Sequence, residues 1–206
     1  HLSEKYDIFG IDIGPSNPFL NKQFNIDLTD FEKVKDLIKS VKPKFIIHCA
    51  AMTNVDLCEE NYLLAREINA LATKNITEAL SRDARIIYIS TDSVFDGKKG
   101  NYSEQDLPCP LNNYAKSKLE GEWFVEQLSL NYVIIRTNLF GWNLVKGQSL
   151  VEWVINSLSG NSEIKMFTDV IFSPLTVNSL SDYIDILLVN DFVGRINLGN
   201  LDSLSK

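Results

Sequence analysis

The sequence predicts an α/β fold built on a doubly wound parallel sheet, and two observations carry that reading. Apolar runs that do not alternate with polar residues recur along the chain, and amphipathic helical segments separate them. A strand that is apolar on both faces is covered on both faces, which calls for helices on each side of a parallel sheet and right-handed crossovers. Such a sheet takes its ligand beyond the carboxyl ends of its strands. The residues just past each apolar run are therefore the informative ones.

Residues 6–13 (YDIFGIDI) read as a buried strand ending at Asp12, followed by a turn at Gly14 and Pro15. Asp27, Leu28, Thr29 and Asp30 open a helix, with Thr29 or Asp30 able to cap it. Phe31, Val34, Leu37, Ile38 and Val41 then recur at helical spacing up to the break before Pro43. Residues 44–49 (KFIIHC) form the next strand, with the exit Ala50, Ala51, Met52, Thr53. Residues 56–81 carry one long helical pattern, and 85–90 a further apolar strand that stops at Ser90, Thr91 and Asp92.

Asp96, Gly97 and Gly100 mark a turn, and Pro108 and Pro110 an extended loop ahead of a helix from about 112 to 128. A strand follows at 132–136. The last third reads as a helix at 149–159, a short strand at 164–167, a turn at Ser173 and Pro174, a helix at 179–189 and a final strand at 194–198. Trp123, Trp142 and Trp153 read as core positions.

At the strand ends, Asp12 stands where an acidic side chain hydrogen-bonds an adenosine ribose and repels a 2′-phosphate, although Asp before a turn is also common. Asp27 and Leu28 either reach an adenine amino group or simply start a helix. Ala50 and Ala51 permit close approach of backbone to a ribose or pyrophosphate, or tight helix–strand packing. Asn69, inside a helix with no local need of it, is a relay, a nicotinamide contact or an exposed residue.

The third strand end is the sharpest. Thr91 offers a hydroxyl suited to gripping a carbonyl oxygen. Tyr114 and Lys118 lie four apart on one helix face. A phenol has an ordinary pKa of about 10, and a neighbouring ammonium is expected to favour its ionised form. A hydroxyl facing a Tyr-x-x-x-Lys pair is an apparatus for carbonyl reduction.

Residues 90–97 (STDSVFDG) and 110–122 (PLNNYAKSKLEGE) resemble the extended short-chain dehydrogenases. More narrowly, they resemble the dTDP-4-dehydrorhamnose reductase group. Residues 50–56, Cys58, Glu59, 68–70, Arg136, Thr137 and 172–174 are similar to that group as well.

The resemblance implies a Rossmann-like NAD(P)-binding domain over residues 1–140 and a small substrate lobe from 141–206, which also returns a final sheet strand. It implies Thr91, Tyr114 and Lys118 as the catalytic set. Asp12, Asp27, Leu28, Ala50, Ala51, Thr53 and Asn69 lie along the dinucleotide, and Thr91 and Asp92 face the sugar. The cofactor is NAD(H) or NADP(H), with Asp12 favouring NAD(H). Departures from the pattern are Ser93 where an aromatic is usual, Asn138 and Leu139 in place of a Trp, and no glycine-rich turn ahead of Tyr6. We therefore expect the chain to be a piece of a longer protein.

The 206 residues are 45% hydrophobic and 23% charged, the balance of an ordinary globular protein. A net charge of −7 argues against a nucleic-acid surface. No apolar run is long enough to span a bilayer, and three cysteines without Cys-x-x-Cys spacing fit a cytoplasmic compartment better than a disulfide framework. No metal is expected. The partner is a nucleotide sugar, and the resemblance adds a homodimer through the Tyr114 helix. Two alternatives stand beside the reductase reading: an epimerase or dehydratase on the same scaffold, and a non-catalytic regulatory or nucleotide-binding subunit.

Overall fold

A computed structural model describes residues 2–14, 20, 22–142, 149–160 and 163–205. After a short 3₁₀ turn at Leu2–Glu4, strand β1 (Phe9–Asp12) pairs in parallel with β2 (Lys22–Asn25). Helix α1 (Phe31–Val41) starts at Asp30, whose carboxylate accepts from the Lys33 amide, and stops at Lys42, which turns left-handed (φ 50°) ahead of Pro43. Strand β3 (Phe45–His48) leads through the 49–54 exit to α2 (Val55–Glu60) and α3 (Tyr62–Arg66). A π-helical turn at Glu67–Leu71 joins α3 to α4 (Ala72–Ala79).

Strand β4 (Arg85–Thr91) runs into a 3₁₀ turn at Asp92–Val94 and, after a loop, helix α5 (Asn113–Leu128). Next come β5 (Tyr132–Thr137), β6 (Leu139–Phe140) and α6 (Leu150–Ser159). A reciprocal Ser149–Glu152 capping box opens α6. The chain continues with β7 (Ile171–Phe172), β8 (Leu175–Thr176), α7 (Val177–Val189), β9 (Gly194–Asn197) and β10 (Leu204–Ser205).

The central sheet is parallel throughout, in the order β3–β4–β5–β9. Two hydrophobic clusters cover its faces. Ile86, Tyr88 and Ile134 point toward Val34 and Ile38 of α1, Ile76 of α4 and Val125 of α5. Ile87, Val133 and Ile135 point toward Leu180, Ile184, Leu187 and Leu188 of α7. Adjacent residues on β4 and β5 thus feed opposite cores, as the unbroken apolar runs required. The architecture is a Rossmann-like, doubly wound parallel sheet. Arg85, at the start of β4, ties α7 to it by donating to the carbonyls of Leu187 (2.8 Å) and Phe192 (2.5 Å).

Several expectations change. The first strand is shorter than 6–13 and only half-covered, because among the described residues β2 is its sole strand neighbour and the pair forms a sheet apart from the central four. Pro15 of the expected turn lies outside the described residues. The single helix at 56–81 is broken at Asn61, whose side chain accepts from the Leu64 amide and restarts the helix as α3. No strand forms at 164–167; the short strand falls at Ile171–Phe172 and pairs antiparallel with β10. Trp123, Trp142 and Trp153 are 54%, 70% and 44% exposed, so none is a core residue. Among the described residues, no helix is long and apolar enough to cross a membrane.

Candidate active site

Thr91 closes β4 and is buried; its hydroxyl accepts from the Ser93 amide (3.1 Å), which starts the 3₁₀ turn, and donates to Asp92 Oδ1 (3.3 Å). Helix α5 brings Tyr114 and Lys118 to the same strand end. Its start is fixed twice: Asn112 accepts from the Ala115 amide (2.8 Å), and Glu59 of α2 accepts from the Asn113 amide (2.5 Å). The carboxylate suits the positive end of the helix.

Gly121 lets α5 lie close to the sheet. A Cβ there would come within 2.4 Å of the Tyr88 hydroxyl and 2.9 Å of the Asn69 carbonyl oxygen. This approach seats Lys118 in the interior.

Lys118 is almost wholly buried, and its Nζ lies 4.1 Å from the centroid of the Tyr88 ring. Burial pulls its pKa from 10.5 down to about 7, against the opposing pull of Cys49 and Glu122. Tyr114 moves upward, contrary to the expectation that the lysine would lower it. Burial is the largest cause, the nearby Asp92 carboxylate adds to it, and the Thr91 hydroxyl works the other way. Lys118 is not among the groups that shift the phenol, since its nitrogen sits over Tyr88. A phenol shifted upward holds its proton at neutral pH, the state a proton donor needs.

Asn69 is completely buried rather than exposed. Its amide donates to the Met52 carbonyl (3.1 Å) and to Ser117 Oγ (2.9 Å), and its oxygen accepts from the Met52 amide (2.7 Å). Ser117 in turn donates to the Tyr114 carbonyl (2.7 Å). One side chain therefore holds the exit of β3 against the turn that carries Tyr114. The π-helical turn places it there.

Ala50 and Thr53 are exposed and Ala51 half-buried along that exit. Asp12 is exposed at the end of β1, with Oδ1 accepting from the Gly14 amide (2.8 Å). Asp27 is exposed too; the amide and hydroxyl of Thr29 donate to it and pull its pKa down. Leu28 packs against the α1–α4–α5 core, and its carbonyl accepts from Asn75 (3.0 Å).

Thr91, Asp92 and Tyr114 thus come together at one strand end, with Lys118 one helical turn further on over Tyr88 and the β3 exit tied beside them through Asn69. Asp12 ends β1 of the separate β1–β2 pair, and Asp27 and Leu28 lie past the end of β2 on the way to α1.

Behind the site lies a group of residues that had not been singled out as site residues. Ser90 donates to Glu122 Oε1 (2.5 Å), and the Arg136 guanidinium grips Glu122 through contacts of 3.0, 3.1 and 2.6 Å. Both ion-pair partners are buried, and Arg136 also lies 5.1 Å from the Phe95 ring centroid. The available signal was Glu122 four residues beyond Lys118, facing inward, together with an arginine at the end of an otherwise apolar strand. Asn138, just past β5, donates to both Asp92 oxygens.

Fold and site together define a Rossmann-like α/β protein carrying a side-chain set suited to carbonyl reduction. Residues 14–195 match the RmlD substrate binding domain, and the chain belongs to that family. It is 34% identical over 154 residues to a probable low-salt glycan biosynthesis reductase of Haloferax volcanii, covering 72% of this chain and 51% of that protein. It is 41% identical over 112 residues to the methionine adenosyltransferase 2 subunit beta of Rattus norvegicus, covering 54% and 34%. The chain therefore spans about half the length of the first of these curated relatives and a third of the second. The crystal structure of a dTDP-4-dehydrorhamnose reductase from Bacillus anthracis in complex with NADP superposes with a TM-score of 0.83 at 35% identity, covering 92% of this chain and 69% of that one.

Proposed function

We propose that the chain belongs to an NAD(P)H-dependent reductase of the 4-keto group of a nucleotide-linked deoxysugar. The observation that carries this reading is the meeting of Thr91, Asp92 and Tyr114 at the end of β4, with Lys118 buried one helical turn further along α5. The reductase relatives and the NADP-bound structure support it.

The residues present fit the two ends of a dinucleotide. Ala50, Ala51 and Thr53 line an open strand exit, and Lys118 would hold the nicotinamide ribose hydroxyls. Asp12 would take the adenosine ribose, with Asp27 and Leu28 past the adjoining strand; the Asp12 charge favours NAD(H) over NADP(H). Asn69 acts by holding the exit.

When bound, the nicotinamide supplies a hydride. Thr91 would grip the carbonyl oxygen and Tyr114 would donate the proton. Asp92 faces the sugar. The 141–206 segment contributes the substrate lobe besides returning α7 and β9 to the central sheet, and two copies pair through α3 and α5, whose outward Leu63 and Trp123 are exposed.

The test is to incubate the full-length protein with NADH or NADPH and a panel of dTDP-, GDP- and UDP-linked 4-keto sugars. Oxidation of the reduced cofactor that stops with Tyr114→Phe supports the proposal. A second reading, a regulatory subunit, draws on the similarity to a methionine adenosyltransferase beta subunit. Cofactor binding without turnover on any sugar would favour it.

A further inference from the structure

We infer that Asn138 is a positioning residue that clamps the Asp92 carboxylate beside Thr91 and so sets the substrate-facing edge of the site. The inference rests on the reductase reading above. Asn138 is the first residue past β5, on the strand that pairs with β4 along its whole length up to Thr91 and Thr137. Its Nδ2 donates to Asp92 Oδ1 at 3.3 Å and to Oδ2 at 3.2 Å. Its backbone oxygen accepts from the Leu175 amide at 2.8 Å, where β8 pairs with β6.

Asp92 Oδ1 also accepts from Thr91 Oγ1 (3.3 Å) and Ser93 Oγ (3.4 Å). One carboxylate thereby gathers donors from the end of β4, the turn after it and the exit of β5. Without the amide, the only side-chain donors left to it among the described residues would be hydroxyls of its two chain neighbours. These travel with the same turn and cannot fix it against the neighbouring strand.

A carboxylate has about four acceptor positions. Among the described residues, three contacts converge on Oδ1, whereas Oδ2 receives Asn138 alone. The clamp therefore leaves Oδ2 with capacity for one further donor beside the oxygen that Thr91 would hold. A sugar hydroxyl next to the ketone is the chemistry that fits. The Asn138 backbone contact to Leu175 carries the same orientation into the C-terminal segment, so its strands and the catalytic turn are registered through one residue.

The test uses Asn138→Ala, Asn138→Asp, Asp92→Asn, the swap Asp92→Asn with Asn138→Asp, and Asp92→Asn with Asn138→Ala, all in the full-length protein. Melting temperature, the dissociation constant of the reduced cofactor, and kcat on the keto sugar that the wild type reduces are measured. Asn138→Ala is expected to lower kcat about tenfold with cofactor affinity unchanged. Asn138→Asp, which sets two carboxylates face to face, is expected to be worse in both kcat and melting temperature. The swap, which restores one amide and one carboxylate, regains the melting temperature. Adding Asn138→Ala to Asp92→Asn costs no further kcat, because Asn138 acts through Asp92.

Additive kcat losses, an Asn138→Asp variant as stable as the wild type, or a swap no more stable than Asn138→Asp would overturn the inference. A wild type that turns over no keto sugar sinks the reductase reading instead. The melting temperature of the swap then decides by itself whether the clamp exists.

Discussion

Glu122→Gln keeps the shape of the side chain and removes its charge, leaving the Arg136 guanidinium in the interior without its counter-ion. Both residues are almost fully buried, and the carboxylate takes three contacts from Arg136 at 3.0, 3.1 and 2.6 Å plus the Ser90 hydroxyl at 2.5 Å. Among the described residues, Nη1 of Arg136 has no hydrogen-bond partner of its own, so no second acceptor there takes up the loss. Breaking one side of a buried pair costs about 3–5 kcal/mol, whereas replacing both partners by apolar groups of similar volume is often neutral. For a chain of this size the loss corresponds to a drop in melting temperature on the order of 10 °C. Urea denaturation of Glu122→Gln, followed by the double variant Glu122→Leu with Arg136→Met, measures both halves. The single variant should lose midpoint with an unchanged m-value, and the double variant should recover most of it. A single variant within about 1 kcal/mol of the wild type would refute the reasoning, since a solvated surface pair costs no more than that.

Three further outcomes are expected. His48 is buried against Thr73 (2.9 Å), and burial, aided by Lys118, lowers its pKa from 6.5 to about 3. The unfolded chain therefore binds a proton below 6.5 that the folded chain refuses, so stability falls as pH falls from 6.5 toward 3; His48→Asn should flatten that slope in denaturation midpoints taken across pH. Lys118 has the opposite window. It is charged in the unfolded chain up to 10.5 and in the fold only up to about 7, so stability should rise between those pH values, and Lys118→Met should be more stable than the wild type by a few kcal/mol at pH 7 while losing activity. Gly121→Ala should cost about 1–3 kcal/mol in thermal denaturation, because the new methyl meets Tyr88 and a backbone oxygen and drives α5 off the sheet.

The fold was legible where burial is symmetric. The unbroken apolar runs of β4 and β5 specify a central parallel strand whatever surrounds them, and both feed two helix layers as expected. Residues 6–13 misled for the same reason: apolar content says that a strand is to be covered, while the amount of cover depends on neighbours, and here β2 alone supplies pairing. Asn61 and Asn69 show what periodicity misses. Both lie inside the 56–81 helical pattern, yet one restarts the helix and the other, through a π-helical turn, becomes a clamp on Met52. Thr91, Tyr114 and Lys118 were visible because their chemistry is local to a strand end and one helix face. Glu122, Arg136 and Asn138 were not, since their roles come from partners 14, 14 and 46 residues away. The direction of the Tyr114 shift depended on burial and on where the Lys118 nitrogen settles over Tyr88, and neither is written in a four-residue spacing.

The most direct test of the account follows the hydride itself. Cofactor carrying deuterium at the transferable position of the nicotinamide is incubated with the full-length protein and a nucleotide-linked 4-keto sugar, and the sugar product is analysed by mass spectrometry. The account requires one deuterium at C4 of the product with the wild type. With Tyr114→Phe the rate should fall at least a hundredfold while the cofactor still binds. A wild type that binds cofactor and transfers no deuterium to any keto sugar, or a Tyr114→Phe variant that transfers it at the wild-type rate, would contradict the account.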